Sequence, residues 1–185
     1  MRVGILLFDG VEELDAMGVY EVLAKAKQLH PQLDLIVRTR ARKETITAAL
    51  GMKMLAHDVR ADFDDLDLLV VPGGLGHKEV VKDPGLLDEL LAFGTEKPIA
   101  SVCTGAIILK AAGLLAGRRV TTHHTARDEL RDVATVVEDR VVEDGLVTTS
   151  GGVTASIDLG LHLLRKYFDG QLADEVAARI EYHKP

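Results

Sequence analysis

One cysteine, Cys103, stands in a chain of 185 residues. A single thiol excludes an internal disulfide and cannot by itself furnish a thiolate zinc site. It is either a small buried hydrophobe or a reactive group. Positive charge is also short. Twenty-two Lys and Arg against 29 Asp and Glu leave a formal net charge of −7, the wrong balance for a protein whose main partner is a phosphate backbone. No apolar run reaches the ~18 residues that a membrane-spanning helix needs. The opening segment, Met1 to Phe8, is too short for a signal peptide and runs directly into a turn at Asp9-Gly10. Linkers, internal repeats and low-complexity segments are missing as well. What is present is ordinary globular material: 47% hydrophobic and 28% charged residues, enough for a sizeable core and incompatible with disorder or a collagen-like chain. The length suits a single domain spanning 1–185. A cytoplasmic protein with neither nucleic acid nor membrane as a partner is expected.

Short apolar runs alternate with longer amphipathic stretches, the pattern of an α/β protein. Val3–Phe8, Leu33–Val37, Leu66–Val71 and Pro98–Val102 read as strands, and continuous apolar runs suit strands buried on both faces of a parallel sheet. Leu14 to Lys27 reads as a helix with Leu14 and Met17 turned inward. Asp83–Phe93 is a second helix with Pro84 in its first turn. Ala106–Leu115 is a third, closed by Gly117. Arg38 to Asp64 is polar and irregular, with short strands near Glu44–Ala49 and Lys53–His57. Arg119–Thr122 is a further short strand and Thr125–Asp132 a short helix. Val136-Val137, Arg140–Val142 and Leu146–Thr148 suggest strands, the last two joined by the tight-turn pair Asp144-Gly145. Helices over Val153–Phe168 and Gln171–Glu181 complete the chain. The sum is about five or six parallel strands with helices on both faces and a small β-hairpin, a doubly wound sandwich.

In such a sheet the active site lies beyond the carboxyl ends of the strands. Asp9–Asp15, Pro72–Gly76, Ser101–Gly105 and Ser150–Thr154 all end there, and His123-His124 follows another strand. In Ser101-Val102-Cys103-Thr104-Gly105 a strand stops, one residue turns sharply and a helix starts at once. That is the layout of a nucleophile elbow carrying sulfur. A helix N-terminus favours a thiolate, so the thiol pKa is expected to fall below ~8.5. Gly73 and Gly74, in Pro72-Gly73-Gly74-Leu75-Gly76, match neither a Walker loop nor a dinucleotide fingerprint. Beside Cys103 they would offer backbone N–H groups to a developing negative charge. Acids in a first helical turn, here Glu12, Glu13 and Asp15, ordinarily serve as caps and dipole partners; one of them could instead face the thiol and exchange a proton with substrate. Adjacent His123 and His124 lack a neighbouring carboxylate at ligand spacing, so no metal is expected. A thiol–imidazole pair with His124 is the better reading. Gly152 and Val153, in Ser150–Thr154, are auxiliary candidates.

Taken together, Leu6-Leu7-Phe8 with Glu13-Leu14-Asp15, Val70-Val71-Pro72-Gly73-Gly74, Ser101–Gly105, Gly117–His123 and Ser150–Ala155 with Asp158 resemble the DJ-1/PfpI (ThiJ/PfpI) superfamily over nearly the whole chain. The resemblance implies a flavodoxin-like sandwich, a homodimer, a reactive cysteine at the elbow and an acid from the first helix beside it. Asp15 holds the position that is glutamate in many members, and Thr104 stands where protease-like members carry histidine. Both features resemble the isocyanide hydratase branch. The implied activity is hydration of a small-molecule isocyanide to an N-formamide with no cofactor, using Cys103 as nucleophile and Asp15 as general acid and base. Thr104, Gly73 and Gly74 would orient substrate and intermediate. Two other readings use the same thiol. One is a glyoxalase- or deglycase-like activity on 2-oxoaldehydes, and the other is a non-catalytic redox-sensing or chaperone-like stress protein.

Overall fold

Leu68–Val71 and Ile99–Val102 are wholly buried strands, and they form the centre of the sheet that positions everything else. The computed structural model describes residues 1–39, 44–60 and 62–183. Among these, the elements in chain order are β1 (Arg2–Leu7), α1 (Glu13–Leu29), β2 (Asp34–Thr39), β3 (Thr45–Thr47), β4 (Lys53–Leu55), β5 (Asp58–Val59) and β6 (Leu68–Val71). Then follow α2 (His77–Val80), α3 (Pro84–Glu96), β7 (Ile99–Val102), α4 (Gly105–Ala111), β8 (Arg119–Val120) and a 3₁₀ turn over His124–Glu129. β9 (Thr135–Val136), β10 (Val141–Asp144), β11 (Val147–Ser150), α5 (Ala155–Tyr167) and α6 (Gly170–Arg179) end the fold.

The main sheet has seven strands in the order β10-β11-β7-β6-β1-β2-β5. Every pairing in it is parallel except β10 with β11. Side chains alternate across β1, so Ile5 and Leu7 face one layer and Leu6 the other. The first layer is α1, α5 and α6, contributing Val19, Val22, Leu159, Leu163 and Val176. The second is α3 and α4, contributing Leu86, Leu90, Ile108 and Leu109. This is the flavodoxin-like sandwich expected. From β1 the chain steps outward to β2 and later returns to β6 on the other side, so the strand order reverses between β1 and β6. A crevice opens at such a switch point beyond the strands' carboxyl ends.

Several expectations shift. Arg119–Thr122 and Val136-Val137 do not join the main sheet; β8 and β9 pair only with each other. The strands near 45 and 55 form a separate antiparallel hairpin, and β5 and α2 were not foreseen. Of the irregular stretch expected over 38–64, residues 40–43 and 61 lie outside the described residues. The third helix stops at Ala111, short of Leu115. Gly113 (φ +83) takes the left-handed position there, not Gly117. Leu114 N donates to Leu109 O (3.0 Å) and Gly113 N to Lys110 O (2.8 Å), a Schellman ending.

The inward face of α1 is also different from the one that periodicity suggests. Asp15, Ala16, Val19, Val22 and Leu23 are buried, while Met17 is 40% exposed and Leu14 half-buried. The cause is close packing of α1 against α5. At Gly18 a Cβ would overlap Ser156 Oγ and lie 3.0 Å from Ser156 Cβ; at Gly160 it would lie 2.8 Å from Val22 Cβ. Two glycines thus set the rotation of α1, and the rotation carries Asp15 inward. Gly18→Ala is expected to cost about 1–3 kcal/mol of stability through this overlap, measured by urea denaturation. An unchanged midpoint would show that the two helices separate freely.

Candidate active site

Cys103 sits at the end of β7 with φ +55, a left-handed backbone that a residue with a Cβ adopts at a cost of roughly 1–3 kcal/mol. The surroundings hold it there. Its N–H is shared between Ser150 O (3.2 Å) and Gly151 O (3.0 Å), and its carbonyl accepts the Thr122 hydroxyl at 2.6 Å. At Gly105 a Cβ would overlap Val71 O, so only glycine lets α4 start this close to β6. The elbow leaves Cys103 7% exposed.

Asp15 meets it from α1. Its carboxylate has no exposed surface. Oδ2 accepts the Gly73 N–H at 3.0 Å and Oδ1 accepts the Val153 N–H at 2.9 Å. Loss of hydration raises the carboxyl pKa to about 6, against the lowering effect of those two N–H donors; nearby Glu12 adds to the rise, and the Cys103 thiol, donating to the carboxylate, opposes it. The thiol is pushed up to about 12, first by burial and then by the Asp15 charge. The Thr104 N–H and hydroxyl pull the other way, toward thiolate, without prevailing. The expected drop in thiol pKa is thus reversed. α4 has only seven residues, and its N-terminal field is outweighed by desolvation and a neighbouring carboxylate. Between about pH 6 and about pH 12 the pair holds one proton and one negative charge, which passes between oxygen and sulfur as the proton moves.

The other expected residues fall as follows. Gly73 and Gly74 lie at the crevice, but their N–H groups are already engaged. Gly73 holds Asp15, and Gly74 N donates to Thr104 Oγ1 at 2.9 Å. They position the acid and Thr104, and their direct contact with a developing charge is not available in this arrangement. At Gly73 a Cβ would come within 2.6 Å of Thr104 N and 2.9 Å of Asp15 Oδ2. Val153, at φ +53, joins the site through its N–H. Gly152 supplies a gap: a Cβ there would overlap the His123 ring and lie 3.2 Å from Cys103 Sγ.

That contact corrects the histidine assignment. His124 is exposed, and His123 is the ring that lies across Gly152 from the sulfur. β8 ends two residues earlier than the strand expected, and His124 lies against His123 with ring centroids 4.3 Å apart. His123 Nδ1 lies 2.8 Å from Thr125 Oγ1, and burial together with His124 and Arg127 lowers its pKa. Glu13 is structural: Oε1 accepts the N–H groups of Leu50 (2.9 Å) and Met52 (3.4 Å). The reading of the sequence missed Thr122, which lies within the Thr-Thr-His run, and Ser156, whose hydroxyl lies 2.6 Å from Val153 O. Among the described residues no cluster of His, Cys, Asp and Glu could hold a metal ion, and no helix is long and apolar enough to cross a membrane.

The chain belongs to the DJ-1/PfpI family, whose pattern matches residues 1–166. It is 35% identical over 187 residues to an isonitrile hydratase of Pseudomonas putida, covering 98% of this chain and 78% of that protein. It is also 29% identical to DJ-1 homolog B of Arabidopsis thaliana over 86% of this chain, though that match covers only 36% of the plant protein. Among solved structures, a ThiJ/PfpI family protein from Pseudomonas syringae superposes with a TM-score of 0.89 at 28% identity, over 100% of this chain and 76% of that one.

Asp15→Asn removes the charge that holds the thiol proton. The Cys103 pKa is then expected to fall clearly below about 12, read as thiolate absorbance at alkaline pH. An unchanged or higher value would show that the carboxylate does not face the sulfur.

Proposed function

We propose that the protein is a cofactor-free hydratase of small isocyanides. The observation that carries this reading is the buried Asp15–Cys103 pair, a carboxylate fixed by two N–H groups with a thiol donating to it. The 35% identity to an isonitrile hydratase supports the substrate class. At neutral pH Asp15 is largely ionised and the thiol protonated, so the acid begins the cycle as a base. As sulfur attacks the isocyanide carbon, the thiol proton passes to Asp15, and Asp15 returns it to that carbon. The product is a thioimidate, R–N=CH–S–Cys103. Water then adds to the same carbon while Asp15 moves its proton. The C–S bond breaks, releasing R–NH–CHO and regenerating the thiol. One nucleophile and one proton shuttle suffice. The Thr104 N–H, directed at the sulfur, is the group best disposed to steady charge developing there.

A second reading has one observation in its favour. His123 lies beside the sulfur with a lowered pKa, so it is a neutral imidazole able to take a proton from a hemithioacetal formed on Cys103 by a 2-oxoaldehyde. Lactate formation from methylglyoxal distinguishes it. A redox-sensing role is less favoured, since a buried thiol that keeps its proton is poorly disposed to oxidation.

Self-association also belongs to this proposal. Met17, Met52 and Leu55 are 40%, 45% and 68% exposed and line one apolar cleft of about 300 Å³ between α1 and the β3–β4 hairpin. A second copy seated on this face would form a homodimer and remove that surface from water. Light scattering is expected to report twice the 20.0 kDa chain mass, and Leu55→Lys to shift it toward 20.0 kDa. A monomer before substitution contradicts the proposal.

The activity test is conversion of an aromatic isocyanide to its formamide, followed spectrophotometrically. Cys103→Ala is expected to abolish turnover, and Asp15→Asn to lower kcat by about 10²–10⁴-fold. Activity retained in either variant overturns the mechanism.

A further inference from the structure

The Asp15 carboxylate is held on one side by the N–H of Val153, a β-branched residue at φ +53. Such a residue leaves the left-handed region unless its neighbours prevent it. The segment that must not relax is the turn 151–154, between β11 and α5.

Arg140, just before β10, grips this turn from two sides. Its carbonyl accepts the Gly151 N–H at 2.9 Å. Its guanidinium donates to Asp158 Oδ2 at 2.6 Å and to Thr154 Oγ1 at 3.2 Å. Asp158 lies in the first turn of α5 with its side chain only 7% exposed. The Tyr182 hydroxyl joins the same pair. Arg140, Asp158 and Tyr182 line a cleft of about 690 Å³ together with Asp139, His162 and Arg165. Nothing in the hydration scheme uses them.

We propose that Arg140 is a positioning residue for Asp15: it locks the 151–154 turn against Asp158 and Thr154, so that the Val153 N–H stays aimed at the carboxylate. The meaning for catalysis rests on Asp15 being the proton shuttle, but the lock can be tested without turnover. The groups facing Asp15 are Glu12 just before α1, Cys103 from the elbow, and the N–H groups of Gly73 and Val153. His123 lies across Gly152 from the sulfur, and Glu13 turns away toward residues 50 and 52. Loss of the Val153 N–H removes a donor that favours the ionised form, so the Asp15 midpoint rises.

The experiment follows the Asp15 carboxyl ¹³C shift against pH in the full chain. Arg140→Ala and Asp158→Ala are both expected to raise the midpoint above about 6, by about 0.5–1 in pH. Asp158→Ala is decisive. Removing a negative charge would, through space alone, lower the midpoint, so only a loosened turn raises it. Arg140→Lys, which keeps a cation opposite Asp158, is expected to return the midpoint part of the way. A merely structural role would lower the melting temperature and leave the titration where it was. Unchanged midpoints in folded variants, or a fall in Asp158→Ala, overturn the proposal. Should both alanine variants fail to fold, Thr154→Val removes a single contact; a smaller rise is expected there, and no rise overturns the proposal equally. Isocyanide turnover, measured separately, can fail without touching this result.

Discussion

The Asp15 carboxylate, with no exposed surface, is the joint on which the crevice depends. Its two oxygens join α1 to main-chain groups 58 and 138 residues away. An ionisable group is expensive to bury without partners, so the loop after β6 and the turn before α5 must both be in place for α1 to pack as it does. The glycines around it serve the same end. Gly18 lets α1 rotate Asp15 inward, Gly73 lets the loop approach the carboxylate, and Gly152 makes room for both sulfur and His123.

Two strained residues face each other across this joint, Cys103 at φ +55 and Val153 at φ +53. One presents a sulfur and the other an N–H, and each is held by hydrogen bonds from elsewhere in the chain. The elbow supplies location. It does not supply acidity, because a buried thiol beside a carboxylate keeps its proton. Reactivity in such a pair comes from having an acceptor already in contact with the thiol, so that proton transfer and attack can accompany one another.

Much of the architecture was legible because burial writes itself into apolar runs: β1, β6 and β7 lie close to where Val3–Phe8, Leu66–Val71 and Pro98–Val102 place them. The tight turn at Asp144-Gly145 likewise joins β10 to β11. Sites of close approach were not legible in the same way. Periodicity turned Met17 inward because it weighs hydrophobicity, whereas the packing of Gly18 on Ser156 decided the helix rotation. Cys103, Thr104 and Gly73 could be placed at one sheet edge because each follows a strand or precedes a helix; position alone left Glu12, Glu13 and Asp15 open, and the family resemblance pointed to Asp15. Their electrostatics were not legible, because the thiol's surroundings depend on how deeply a distant helix buries its carboxylate. His123 was confused with His124 because β8 ends at Val120, two residues short of the strand expected, and beyond a strand's end alternation no longer fixes which ring faces the sulfur. Arg140 carries no local signal at all; its role arises from pairing with Asp158 across the α5 interface.

The central claim is that Asp15 receives the proton of Cys103. The most direct measurement is the rate of Cys103 alkylation by a small neutral electrophile as a function of pH. If Asp15 is the acceptor, the rate rises as that carboxyl ionises, with a midpoint near about 6, and stays level well into the alkaline range. A rise that begins only near the ordinary thiol range of about 8.5 would mean that the sulfur ionises unaided, and would contradict the account.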